Sequence, residues 1–262
     1  MTRAVALLLA LLSARCSSPG APELPAILAE RRDLYNEALD SQDAFRVEVE
    51  AATIARLARE RFPELLQGLA SIDPAMQDAA AFALGFSRHR GAIAPLTAAT
   101  GSARPALRAV AIAALGMLGL REVPMEPFRK LLDDEDAHVR LSALFGLRHL
   151  AGPGCPTSVL EAVHARLSDP EMGIRNEAVL VLGKVGGAVS LEMLLAKPIR
   201  DPEALVRQNV ARALGTLRGP SERTVPALKE LLKDEDPGVV RAAQASLRWI
   251  DGGRVDTPAP DR

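Results

Sequence analysis

Apolar residues recur along this chain with the period of a helix buried on one face. Val206, Val210, Ala213 and Leu214 stand at positions 0, 4, 7 and 8 of a 3.6-residue spiral. The frame returns elsewhere. Asp169-Pro170, Ile174-Arg175, Ala178 and Leu182-Gly183 match Asp201-Pro202, Val206-Arg207, Val210 and Leu214-Gly215 at a distance of 32 residues. Asp134, Val139, Arg140, Ala143 and Leu147 occupy the same slots, as do Leu107, Arg108, Ala111, Leu115 and Gly116, and residues 131–150 align without a gap on 231–250. A weaker early copy ends at Ala83-Leu84-Gly85. The leucine slot thus recurs at Leu84, Leu115, Leu147, Leu182, Leu214 and Leu247, with steps of 31, 32, 35, 32 and 33. Such regular self-similarity marks a repeat architecture, in which each unit buries its apolar face against its neighbours.

Each copy reads as two helices. The carboxylates of Asp169 and Asp201 are expected to cap the second helix, with Pro170 and Pro202 at its first position, where an N–H is not needed. Gly183 and Gly215 fit either a helix stop or a close helix contact. First helices are expected at Val123–Leu132, Thr157–Leu167, Ser190–Ala196 and Thr224–Leu232, with Pro95, Pro124 and Pro226 near helix starts. No segment alternates with period two over a strand's length. Upstream, Ala26–Leu39 and Asp43–Glu60 read as two further helices. The expected fold is therefore all-α, an α-solenoid of about six helix-hairpins with an N-terminal helical cap. Its boundaries are a signal segment 1–15, a linker 16–25, a cap or degenerate repeat 26–60, a solenoid 61–251 and a disordered tail 252–262.

The pattern resembles the HEAT-repeat family, most closely its short bacterial branch related to phycobilisome-lyase-like repeats. The resemblance spans roughly residues 61–250. The family carries an Asp in the turn and an Arg six residues later, and this resemblance implies that the two link neighbouring repeats. Asp134 with Arg140, Asp169 with Arg175, and Asp201 with Arg207 supply that set. The ends depart from it. Ser102 stands in the Asp slot before Arg108, the first copy has Ser71 and Gln77, and the last has Asp234 and Val240. Asp73-Pro74 and Asp236-Pro237 lie two residues off the common frame. Terminal repeats of a stack are expected to be atypical.

The first residues carry a different signal. Met1-Thr2-Arg3 precedes nine apolar residues, Ala4 to Leu12, too few to span a bilayer but the right length for a secretory h-region. The segment resembles a bacterial lipoprotein signal with Cys16 as the lipidated residue, although Ser13 and Arg15 stand where that pattern has Leu and a small residue. The expectation is export, to the periplasm or to a membrane surface through Cys16, with a cytoplasmic location as the alternative. Aromatic residues are only 3% of the chain, so alanine and leucine carry a core of closely approaching helices. The net charge of −1 lacks the basic excess that nucleic-acid binding needs. The second cysteine, Cys155, sits in a Gly/Pro-rich loop and reads as a solvent-accessible bystander.

Candidate chemistry is sparse. Deoxyhypusine hydroxylase, built of similar repeats, is expected from family resemblance to hold iron through His-Glu pairs. Here His89, His138, His149 and His164 are followed by Arg, Val, Leu and Ala. A phycobilin-lyase role would rest on Cys155 alone. The acidic run Asp133–Asp136 lacks the spacing of a calcium loop, and Gly183–Gly187 lacks the Lys-Ser/Thr of a phosphate loop. No cofactor or metal is expected. On the helical wheel, Phe82, Val110, Leu141, Phe145 and Leu180 point away from the core, followed by the polar Asn176, Gln208 and Arg212. They form either a groove for a protein partner's apolar segment or packing against adjacent helices. The expected function is a non-catalytic interaction scaffold binding a protein on its concave face. The alternative is a HEAT-like enzyme or accessory subunit, phycobilin-lyase-like or deoxyhypusine-hydroxylase-like.

Overall fold

The computed structural model describes residues 24–252 apart from 153, 197 and 218–220. The signal segment with Cys16, most of the proposed linker and nearly all of the proposed tail lie outside the described residues. Fourteen α-helices and no strand occur among those described. Two helices come first, α1 (Leu24–Asp40) and α2 (Ala44–Glu60). Six hairpins follow: α3 (Phe62–Leu69) with α4 (Pro74–Gly85), α5 (Ile93–Ala99) with α6 (Pro105–Met117), and α7 (Glu126–Leu131) with α8 (Ala137–Leu150). Then come α9 (Thr157–Arg166) with α10 (Met172–Val185), α11 (Gly187–Ala196) with α12 (Ala204–Thr216), and α13 (Ser221–Leu231) with α14 (Pro237–Gly252). No described helix is long and apolar enough to cross a membrane.

The second helix of each hairpin packs on the second helix of the next, so α4, α6, α8, α10, α12 and α14 form one inner layer. Each first helix covers its own partner from outside, and α1 and α2 close the N-terminal end by packing on α4. The leucine slot runs down the interior. Leu84, Leu115, Leu147, Leu182 and Leu214 are fully buried, whereas Leu247 is only partly covered because no described repeat stacks beyond it.

Small residues set the spacing of the inner layer. A Cβ on Gly116 would overlap Gly146 Cα and its carbonyl, and a Cβ on Gly146 would lie 2.7 Å from Phe128 Cε1. The two glycines thus bring α6 and α8 into backbone contact and make room for Phe128, which is fully buried. Gly183 meets Ala213 in the same way, its added Cβ falling 2.8 Å from the alanine methyl. Of the two readings of that slot, the close helix contact is the one observed. The helix stop comes three residues later, at Gly186, which takes the left-handed φ of 73°.

Some local expectations are corrected. The N-caps before α10 and α12 are Glu171 and Glu203, not Asp169 and Asp201, and the aspartates sit two residues earlier in the turn. The Asp-Pro pairs that fall off the common frame do obey the capping rule. Asp73 accepts the Ala75 N–H at 3.1 Å before Pro74, and Asp236 accepts the Gly238 and Val239 N–H groups at 2.7 and 3.1 Å. Helix α1 starts at Leu24, inside the expected linker. Helix α7 starts only at Glu126, so Pro127, not Pro124, occupies its first turn. Helix α13 begins a turn earlier than expected and carries Pro226 in its interior.

Candidate binding surface

The turn aspartates and slot arginines build a ladder across the hairpins. Arg108 grips Asp134 with Nε and Nη2, both at 2.8 Å. Arg140 holds Asp169 at 2.9 and 3.1 Å, Arg175 holds Asp201 at 2.7 and 3.0 Å, and Arg207 holds Asp234 at 2.7 and 2.8 Å. Each arginine thus meets the carboxylate of the following hairpin. Toward the aspartate six residues before it, Nη1 donates to the backbone carbonyl only, at 3.0 Å for Arg140 on Asp134 and 2.8 Å for Arg207 on Asp201. Each carboxylate also accepts the N–H two residues on, as from Glu171 to Asp169 at 3.1 Å.

A forked guanidinium and a planar carboxylate are matched for this bidentate geometry. The Arg207 hydrogen bond holds the Asp234 carboxyl below its ordinary range. For Asp134 and Asp169 burial pushes the carboxyl up, but Arg108 and Arg140, aided by backbone N–H groups, outweigh it and the net shift is downward.

The apolar candidates are mostly packed. Phe82 lies under α1, edge-on to Tyr35 at 5.9 Å and to Phe86 at 5.2 Å between ring centres. Val110 is half-buried against the core. Phe145 is half-buried, its ring 4.6 Å from that of His149 and 5.5 Å beneath the Arg148 guanidinium. Only Leu141 is exposed, at 37%. Leu180 is half-buried and lines an opening further along. No continuous apolar groove joins the five. Among the polar candidates, the Asn209 amide donates to Asn176 at 2.7 Å and Arg212 donates to Asn209 at 3.1 Å, while Gln208 edges the last opening.

Among the described residues, open depressions lie along the inner layer and at its N-terminal end. One, of about 530 Å³, lies between α2 and the ends of α4, α6 and α8, with Tyr35, Glu48, Arg59, Arg88 and His149 on its walls. Burial raises the Tyr35 hydroxyl pKa, and burial with Arg148 and Lys184 nearby lowers that of His149. The second, about 470 Å³, contains Leu180, Lys184, Asn209 and Arg212. The third, about 640 Å³, contains Gln208, Arg212, Arg241 and Trp249. Arg212 and Thr216 belong to both of these, so they form one trough across α10, α12 and α14. The wheel reading missed Arg241 and Trp249 because it stopped at α12. The chain's single tryptophan on the last amphipathic helix was the available signal.

No group of three or more His, Cys, Asp or Glu residues converges among the described residues. His89 accepts the Gly91 N–H through Nδ1 at 3.1 Å and packs on Phe62, and His149 packs on Phe145. Cys155, expected to be solvent-accessible, is half-buried against the core, and that burial raises its thiol pKa.

The comparisons with known proteins agree on architecture. The family model of HEAT repeats matches residues 62–148, 125–197 and 191–259. A designed armadillo repeat protein solved with the peptide (KR)4 superposes with a TM-score of 0.56 at 20% identity, covering 71% of this chain and 98% of that one. An archaeal HEAT-like repeats protein from Thermococcus onnurineus NA1 gives 0.52 at 14% identity, covering 89% and 99%. Among curated sequences, the deoxyhypusine hydroxylase of Phaeosphaeria nodorum is 34% identical over 101 residues, 37% of this chain and 30% of that protein. The chain therefore spans under a third of the length of this relative. The relative corrects the expectation of a non-catalytic scaffold: the same kind of repeat serves an enzyme, and solenoid architecture alone does not separate the two roles. Since the repeat model covers most of the described solenoid, this chain belongs to the HEAT-repeat family.

Proposed function

We propose that the chain is an accessory component of a HEAT-repeat enzyme of the deoxyhypusine hydroxylase kind, holding the protein substrate on its inner layer. The observation that carries this is the stretch of 101 residues at 34% identity to such a hydroxylase. Support for an accessory role comes from the donors: four histidines without a following glutamate, and no cluster of three metal-ligating side chains among the described residues. No hydroxylation step is assigned to this chain's own residues. What they supply is a long surface with open depressions between successive helices, the shape that receives an extended polypeptide.

The test adds the purified chain to an active deoxyhypusine hydroxylase at limiting concentration of a deoxyhypusine-bearing protein. The expected result is a several-fold lower KM with kcat unchanged. An unchanged KM overturns the proposal. Conversion of the substrate by this chain alone with iron(II) overturns the accessory role in favour of a complete enzyme.

A further inference from the structure

Two sets of cations on the inner layer differ in their partners. Arg108, Arg140, Arg175 and Arg207 are each bidentate to an aspartate. Lys184, Arg212 and Arg241 are exposed and have no carboxylate within ion-pair distance among the described residues. These three line one trough, one on each of the successive helices α10, α12 and α14, and no acidic residue lines it. Lys184 Nζ also donates to the carbonyls of Arg148 and His149, which fixes the position of its ammonium group toward the end of α8. Arg212 is oriented by Asn209. At the far end stands Trp249, 71% exposed, beside Arg241.

We propose that this trough binds an acidic, extended peptide segment of a protein partner, with acidic residues at every third position and an aliphatic side chain against Trp249. The inference stands on the trough's own chemistry and holds whether or not the partner is a hydroxylase substrate. Neighbouring packed helices lie about 8–10 Å apart. A chain extended as polyproline II advances about 3.1 Å per residue and turns once in three residues, so one helix-to-helix step spans about three residues and returns to the same face. Carboxylates at that interval meet one cation per helix. In a chain with net charge −1, three unpaired cations gathered without an acid form a local field that selects an anionic ligand. Gln208 and Thr216 offer hydrogen-bonding partners to a peptide backbone. A single strand of nucleic acid fits less well, because base stacking calls for several exposed rings and the trough has only Trp249.

Trp249 is the only tryptophan, so its fluorescence reports the trough directly. The full chain is titrated at low salt with the peptide Glu-Ser-Leu-Glu-Ser-Leu-Glu, with a peptide of identical composition whose three glutamates are contiguous, with a lysine-for-glutamate version, and with oligodeoxythymidylate. The expected result is a saturable change with the spaced acidic peptide. Its Kd is several-fold lower than for the contiguous peptide, and the lysine peptide gives no response. The variant R212E/R241E, with an unchanged helical circular dichroism signal, weakens the spaced peptide at least tenfold. Equal binding of the acidic and lysine peptides, no binding of either, or an R212E/R241E variant that binds as the parent does overturns the proposal. Tighter binding of oligodeoxythymidylate than of the spaced peptide overturns it in favour of a nucleic-acid site.

Discussion

Between Arg108 and Asp234 every hairpin is tied to the next by the ladder pair of slot arginine and turn aspartate, whereas the first interface, α4 against α6, lacks that pair and uses another guanidinium. There the arginine slot holds Gln77 and the aspartate slot holds Ser102, so both halves of the ladder are missing together. Ser102 keeps the turn, its hydroxyl accepting the Arg104 N–H at 3.1 Å as the aspartates accept theirs. Arg104 instead reaches back to Asp78 at 2.6 Å and to Gln77 at 3.2 Å. The aromatic cluster of Tyr35, Phe82 and Phe86 then closes this end. No hairpin precedes Ser71 to supply a slot arginine, and among the described residues no hairpin turn follows Val240 to supply an aspartate. The ladder therefore occurs where a hairpin has ladder partners on the proper side. What looks in the sequence like decay of the repeat is a change of fastening.

The sharpest way to break the interior is through its closest contact. In Gly116→Val the new branched side chain has no space against Gly146, and α6 must separate from α8. A loss of about 3 kcal/mol or more is expected in urea unfolding followed by circular dichroism. Gly152→Ala, where an added Cβ meets nothing within 4 Å, is the control and should stay within about 0.5 kcal/mol of the parent. Equal midpoints for the two would show that the backbone contact does not hold the layers.

Next in size is the ladder itself. Arg140→Met leaves Asp169, whose side chain is 1% exposed, with only the longer contact to Arg166 at 3.5 Å, and should cost about 2 kcal/mol at neutral pH. Arg104→Met breaks a pair exposed at 34% and 18% and should cost about 1 kcal/mol or less. The deficit of Arg140→Met should also shrink in acid. Asp169 has a folded pKa below its ordinary 3.8, so the pair's contribution is present above that value and is lost as pH falls through the lower, folded one. In the variant the Glu171 N–H and Arg166 remain but the largest force holding the carboxylate charged is gone, so the two proteins converge as pH falls below about 3.8. A deficit that stays constant from pH 7 to pH 3 would show that Arg140 acts through packing alone.

The architecture was legible because Leu84 through Leu214 obey one spacing, and a buried slot tolerates few alternatives. The turn chemistry was legible only in part. An Asp followed by Pro reads as a cap, and for Asp73 and Asp236 it is one; Asp169 and Asp201 present the same dipeptide two residues early because their carboxylates serve the neighbouring arginine. That difference depends on a residue about thirty positions away, which a local rule does not see. The surface was least legible. A helical wheel assigns Phe82 and Phe145 to the outside, but it contains no α1 to cover the first, and it sets His149 one turn from the second without showing that the two rings pack together. Conversely the trough depends on which cations lack partners, and this emerges only once the ladder has claimed its four arginines.

The smallest effect would come from extending the ladder into the first interface. Gln77→Arg supplies the guanidinium and Ser102→Asp the carboxylate, in the slots that Arg108 and Asp134 occupy one hairpin later. Ser102→Asp alone places a charge in a partly buried turn and should destabilise slightly, while retaining the hydrogen bond to the Arg104 N–H. Gln77→Arg alone removes the Gln77 contact to Arg104 and sets two guanidinium groups near each other. Together the changes should recover both losses and add about 1 kcal/mol, a favourable coupling readable in a double-mutant cycle of urea midpoints. Zero coupling would mean that the α4–α6 spacing, set by Tyr35, Phe82 and Phe86 and by Gly85 against Ala114, differs from that of the interior. The two fastenings would then be alternatives fixed by backbone geometry, not by the identity of two side chains.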